Sequence, residues 1–183
     1  MSQLFWANKN LEPKRAFKWV ATLGDGKNIY SYQIQKVARP ELTISNKEVK
    51  ILGYTFNYPM QATWNQITLD FIDVVKSDTN DGKKSGQYLK DLITASGYRY
   101  PTDFNKSKGG ITKAQAVNQK FTTLEVQQLD GKGNLLETYT FKNSWIEKVN
   151  FGPEFSYESE DLVMPQIGFR YDWAVITPAA TKK

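Results

Sequence analysis

The run IGFRYDWAVI at 167–176 places Ile167, Phe169, Tyr171, Trp173 and Val175 at every second position, opposite Gly168, Arg170, Asp172, Ala174 and Ile176. Successive side chains of a strand point to opposite faces, so this alternation predicts one half-buried strand over the whole run. FKWVATL near the start repeats the pattern with Phe17, Trp19, Ala21 and Leu23, and ITLDF at 67–71 does so with Ile67, Leu69 and Phe71. Together these runs predict a core drawing on Phe17, Trp19, Leu69, Phe71, Phe169, Tyr171 and Trp173. Residues that tolerate positive φ punctuate them: Gly24, Asp25, Gly26 and Asn28 predict a hairpin joining 17–23 to 29–37, and LDGKGNL at 129–135 predicts a second. Only SGQYLKDLITAS at 85–96 has a helical stripe, made by Tyr88, Leu89, Leu92 and Ile93, with Ser85 placed to cap its start and Gly97 its end. A helix this short does not stand alone in water and must pack on a sheet. The expected fold is mainly β, a barrel or sandwich with one short flanking helix and a long projecting hairpin. It forms a single domain over 1–183, with a basic loop insertion at about 100–120.

Composition narrows the chemistry. The 183 residues include no cysteine and no histidine, which excludes disulfides, thiolate metal sites, Ser-His-Asp catalysis and histidine proton shuttles. The remaining candidates for catalysis are carboxylates. Asp70 and Asp73 sit three apart and point to opposite faces of a strand, and Glu158, Glu160 and Asp161 read as a solvated acidic loop. DTNDGK at 78–83 fails as a calcium loop, because Lys83 and Leu89 occupy the positions that need Gly and an acid. No catalytic, cofactor or metal site is expected, and the chain is expected not to be an enzyme. No apolar run is long enough to span a membrane, and the start has no secretory leader pattern, so synthesis and folding in a cytoplasm are expected.

The charge, 24 basic against 19 acidic residues, is unevenly placed. Residues 1–50 carry 9 basic and 4 acidic side chains, and 121–183 carry 6 and 9. This asymmetry suits copies of one chain meeting through opposite surfaces, a nucleic-acid patch, or an ordinary solvated surface. The pairing candidates are Lys14, Arg15 and Lys18 on one side and Glu154, Glu158, Glu160 and Asp161 on the other. Lys106, Lys108, Lys113 and Lys120 could meet phosphates but lack the aromatic interleaving of a base-stacking platform.

The segment 40–59 breaks the pattern of the core strands. In LTISNKEVKIL, Asn46, Glu48 and Lys50 occupy one parity and Lys47 interrupts the other, so neither face is continuously apolar. Leu42, Ile44, Val49 and Ile51, followed by the alternating Tyr54, Phe56 and Tyr58, read as an arm that projects and finds its burial on another molecule. A solvated two-sided hairpin fits the same residues.

GYTFNYPMQATWNQITLDFID at 53–73, FKNSWIEKVNFGPEFSYES at 141–159 and IGFRYDWAVI at 167–176 resemble, in order and spacing, the tail tube proteins of contractile-tailed bacteriophages. With FKWVATL the likeness covers roughly 11–176. The resemblance implies a structural virion protein whose six-membered rings stack into the inner tube of a contractile tail. Its partners would be further copies of itself and the tail sheath, baseplate and tape-measure proteins. DNA would pass through the lumen without specific recognition, and there would be no membrane anchor. The family's stacking hairpin corresponds here to 42–58. Tube-like baseplate or initiator proteins and bacterial contractile-injection tubes share much of the pattern, and a nucleic-acid-binding β-barrel is the alternative from another class.

Overall fold

The computed structural model describes residues 14–24, 33–74, 85–98, 110–117, 123–158 and 160–179. Sheet A has the order β1 (Trp19–Leu23), β6 (Leu124–Leu129), β7 (Leu135–Lys142), β10 (Trp173–Pro178). Sheet B has the order β2 (Ile34–Val37), β5 (Ile67–Phe71), β9 (Gln166–Arg170), β8 (Trp145–Asn150). A third, two-stranded unit pairs β3 (Leu42–Ile51) with β4 (Tyr54–Trp64). All pairings are antiparallel. The fold is therefore mainly β, as the alternating runs predict, with two short helices, α1 (Ser85–Ala95) and α2 (Lys113–Val117).

The core lies between the sheets. Ala21, Leu23, Leu124 and Phe141 of sheet A meet Ile34, Ile67, Leu69, Phe71, Ile167 and Phe169 of sheet B, and α1 adds Tyr88, Leu89 and Leu92 to the same buried cluster. These three helix positions are one, three and four apart, so one stripe of α1 supplies all of them. Gly97, at φ 101°, ends the helix in the left-handed conformation that a glycine adopts without steric cost. The turn after β6 also follows the sequence reading. Asp130 accepts hydrogen bonds from Lys132 N and Asn134 N, each at 2.8 Å, while Gly133 takes φ 88° and returns the chain into β7.

The expected turn at 24–28 and the start of its second arm, 29–32, lie mainly outside the described residues; among the described strands β1 pairs with β6 in sheet A and β2 with β5 in sheet B. Two expectations are corrected. The run 167–176 is two strands in two sheets, broken at Tyr171 and Asp172. The break inverts the parity: Tyr171 faces in, but beyond the corner Ala174 packs on the core while Trp173 is 46% exposed. Phe17 lies just before β1 and is 68% exposed, its ring 5.8 Å from the Lys18 ammonium. Helix α2 has no counterpart in the sequence reading, and the rest of the basic insertion, like the loop at 78–83, falls mainly outside the described residues.

The same corner joins the sheets. β7 continues into β8 through Asn143, at φ 55°, as β9 continues into β10. β7 pairs with β10 and β8 with β9, so two long segments, 135–150 and 166–178, remain partners on both sides of the bend. Phe141 and Tyr171 pack edge to face across it, with ring centroids 5.1 Å apart. Replacing Phe169, which is fully buried, with Ala is expected to cost about 3–5 kcal/mol. Trp173→Ala is expected to cost the isolated chain about 1 kcal/mol or less. Urea unfolding of the two variants checks this, and equal losses would put Trp173 inside the core.

Candidate assembly surfaces

The arm is an overrun of a core ribbon. β2 and β5 pair with Val37 opposite Leu69, and Leu42 lies opposite Trp64 in the same register, so β3 and β4 continue that ladder past the end of sheet B. Asn65 N donates to Glu41 O at 2.9 Å and Asn65 Nδ2 to Thr43 Oγ1 at 3.1 Å, fastening the base. Trp64 packs on Tyr171 at 5.9 Å between centroids. Beyond this base β3 and β4 pair only with each other among the described strands.

A bulge explains the mixed parity. Between the pairs Ile44–Ala62 and Asn46–Pro59, two residues of β4, Met60 and Gln61, stand opposite Ser45 alone. Ser45 Oγ donates to Gln61 O at 3.1 Å and fills the gap. Leu42, Ile44, Ala62 and Trp64 therefore share one face of the base. The distal half carries Val49, Ile51, Tyr54, Phe56 and Tyr58, with Lys47, on the opposite face. Behind them Asn46, Glu48, Lys50, Thr55 and Asn57 form a polar side, and Asn46 Nδ2 reaches Asn57 Oδ1 at 3.4 Å. Leu42, Ile44, Ile51, Tyr54, Phe56 and Tyr58 are all exposed, and Val49 is half-buried. At the tip Leu52 and Gly53 have φ 52° and 82°, so a leucine that is 93% exposed sits in the left-handed region. That conformation costs an ordinary residue roughly 1–2 kcal/mol.

The charge candidates fall in two places. Lys14 forms an ion pair with Glu137 of its own chain at 2.6 Å. The Lys14 hydrogen bond, followed by that of the Tyr139 hydroxyl, holds the Glu137 carboxyl below the usual range. Arg15 and Lys18 contribute backbone carbonyls to the buried amide of Gln128, whose Nε2 donates to Arg15 O at 3.0 Å and Lys18 O at 2.6 Å. Arg39, between β2 and the arm, donates to Gln128 Oε1 at 3.1 Å, so this one side chain ties the N-terminal segment to the root of the arm. Glu154, Glu158, Glu160 and Asp161 are exposed in the connection from β8 to β9, together with Phe151, Phe155, Tyr157, Leu162, Val163 and Met164. A groove of about 580 Å³ opens there, lined by Phe151, Pro153, Phe155 and Val163 beside Asp73, Glu154, Ser156 and Asp161. The sequence reading saw the carboxylates but not the groove. The signal was the three aromatic rings Phe151, Phe155 and Tyr157 within seven residues.

The remaining candidates are placed as follows among the described residues. Asp70 accepts a hydrogen bond from Gln166 Nε2 at 2.7 Å between paired strands. Lys113, one of the phosphate candidates, binds Asp172 at 2.6 Å, while Lys106, Lys108 and Lys120 lie outside the described residues. Among the described residues no three metal-ligating side chains cluster, and no helix is long and apolar enough to cross a membrane.

No family model matches the chain, and no curated protein matches it. Solved structures do. A chain of the anti-feeding prophage cap, the AFP tube-terminating cap, aligns over 92% of this chain and 93% of its own, with a TM-score of 0.62 and 15% identity. One from the sheath-tube complex of the extracellular contractile injection system PVC, in its extended state, covers 91% and 93% at 0.59 and 18%. One from the six-fold symmetrised AFP baseplate covers 92% and 97% at 0.61 and 10%. The fold is shared with chains of these assemblies. At such identities the likeness shows a shared fold, and it spans nearly the whole of each chain.

Within that fold, Asp172 holds the corner between the sheets. It accepts from Lys113 Nζ at 2.6 Å and from Asn143 Nδ2 at 2.7 Å, and these bonds, the lysine's first, depress its pKa below the ordinary 3.8. A folded-state pKa below the unfolded value means stabilisation that is present above the ordinary value and lost as pH falls through the depressed one. Asp172→Asn is expected to cost less than about 1 kcal/mol at neutral pH, since the pair is partly solvated, and to make the acid limb of stability shallower. Urea midpoints from pH 7 downward check this; an unchanged acid limb would remove Asp172 from the account.

Proposed function

We propose that this chain is a structural subunit that assembles with copies of itself into stacked six-membered rings, forming the inner tube of a contractile tail. The arm carries the reading. A ten-residue and an eleven-residue strand leave the core and present aromatic side chains to solvent, which a monomer gains nothing by doing. Support comes from the tube-type fold and from the resemblance of 53–73, 141–159 and 167–176 to phage tail tube proteins. In that setting the partners are neighbouring copies, the sheath outside, the baseplate at one end and a tape-measure protein within. DNA passes through the lumen without sequence recognition, and the assembled subunit belongs to the virion, built in the host cytoplasm.

The likeness to chains of a tube-terminating cap and of a baseplate favours one second reading, a ring at an end of the tube. Negative-stain microscopy of the purified protein separates the two: extended tubes support the first, and isolated rings that do not stack support the second. Monomers that bind DNA with a steep salt dependence would replace both.

The arm serves assembly and not folding in this account. Replacing 42–58 with a short glycine-rich turn is expected to leave a soluble, cooperatively unfolding monomer that no longer polymerises; loss of folding would refute the division. At the tip, Leu52→Asn is expected to stabilise the isolated hairpin by about 1 kcal/mol, because asparagine tolerates the left-handed region, while weakening assembly. Thermal melts and light scattering report the two effects separately.

A further inference from the structure

Two exposed surfaces of this chain match each other. The first is the distal face of the arm, where Val49, Ile51, Tyr54, Phe56 and Tyr58 share a side with Lys47, the one charged residue there, which stands opposite Tyr58 at the end of the patch nearer the base, and Glu48 is turned to the back of the ribbon. The second is the groove between the end of β5 and the β8–β9 connection, with Phe151, Pro153, Phe155 and Val163 as its apolar wall and Asp73, Glu154 and Asp161 at its rim; among the described residues no lysine or arginine lines it.

The groove is built into the fold. Asp73 N donates to Val163 O at 3.0 Å and Phe71 N to Pro165 O at 3.2 Å, so the returning leg of the loop is fixed to the core strand β5. On the outgoing leg Gly152 N donates to Asn150 Oδ1 at 3.2 Å. Gly152 has φ 128°, and a Cβ there would lie 2.8 Å from Val163 Cγ1, so only glycine lets the two legs close.

We infer that the distal aromatic face of the arm docks in the acidic groove of a second copy of this chain. The inference rests on the tube reading and adds the surface that receives the arm. The bulge at Met60 and Gln61 turns the distal apolar face to the side of the ribbon opposite the apolar face of the base. One arm thus offers its root and its end to different neighbours. Aromatic rings replace water against Phe151 and Phe155, and the Lys47 ammonium meets the carboxylate rim. The contact uses different patches on the two copies, and such heterologous contacts propagate from copy to copy.

The chain lacks cysteine, so introduced thiols report the contact cleanly. Val49→Cys is made in one chain and Ser156→Cys in another, and the two, differently tagged, are mixed, assembled and treated with a short bismaleimide. A cross-linked heterodimer is expected in the mixture and none from either chain alone. Lys47→Glu is expected to reduce the yield, and Glu154→Lys in the partner to restore part of it. Tyr58→Cys with Glu154→Cys repeats the test at an independent pair. Val49→Cys chains that link to each other would show arm-to-arm contact and overturn the inference. Tubes or rings that form without heterodimer at either pair would overturn it while leaving the tube reading in place. Wild-type protein that forms neither would overturn the tube reading and this docking with it.

Discussion

The bend shared by 135–150 and 166–178 turns a ladder of strands into a molecule with an inside. An antiparallel sheet of this composition has one apolar face, and it is stable only when that face meets another. Here the second face comes from the same two segments after they turn the corner, so the closing contact is covalently attached to what it closes. Asp172 N donates to Lys142 O at 3.0 Å across the bend, and its carboxylate collects Asn143 and, from a different element, Lys113. Charge-assisted bonds gather where the paired segments turn from one sheet into the other, because that is where backbone groups would otherwise lose partners. The edge-to-face packing of Phe141 and Tyr171 and the contact of Tyr171 with Trp64 then carry the corner to the root of the arm.

Much of the core was legible in the sequence, because period-two alternation reports burial directly wherever a strand stays straight. Ile67, Leu69 and Phe71 are inside as predicted, as are Ile167, Phe169 and Tyr171. The stripe of α1 and the Asp130 turn were also readable, since both depend on neighbours within a few residues. What failed has one physical origin. Alternation fixes which side chains share a face of a strand but not which sheet the strand joins, and a bend inverts the parity without marking it. Trp173 therefore continues the pattern of Phe169 in the sequence and lies on the other side in space. The pairing of Trp19 with Gln128 spans more than a hundred residues, and no local signal encodes it.

The surfaces divide in the same way. The arm could be read because its parity conflicts are local, although the cause, two residues of β4 set against Ser45, needs the register of both strands. The groove could not be read. Its wall combines Asp73 with Val163, which meet because the β8–β9 connection returns along β5, and its closure depends on one glycine whose requirement comes from a side chain eleven positions later. The basic candidates illustrate the reverse. Lys14 looked available for another chain, but Glu137, brought up by sheet A, already holds it.

If the chain assembles as proposed, it must remain soluble before it meets its neighbours, and the arm's construction bears on how. An exposed ribbon that is apolar on one face along its whole length would invite pairing with any similar edge. Moving the apolar face across the ribbon at the bulge shortens each patch, and Lys47 puts a charge, costly to bury unpaired, at the base end of the distal one. A partner must then supply both an apolar wall and a carboxylate, as the groove with Asp73, Glu154 and Asp161 does. In the proposed docking, burial of the aromatic rings would supply most of the driving force, and the lysine would decide where that force is spent, because a surface without the carboxylates would strand it. The net positive charge of the chain would act in the same direction in that assembly, keeping free copies apart until opposite patches are in register.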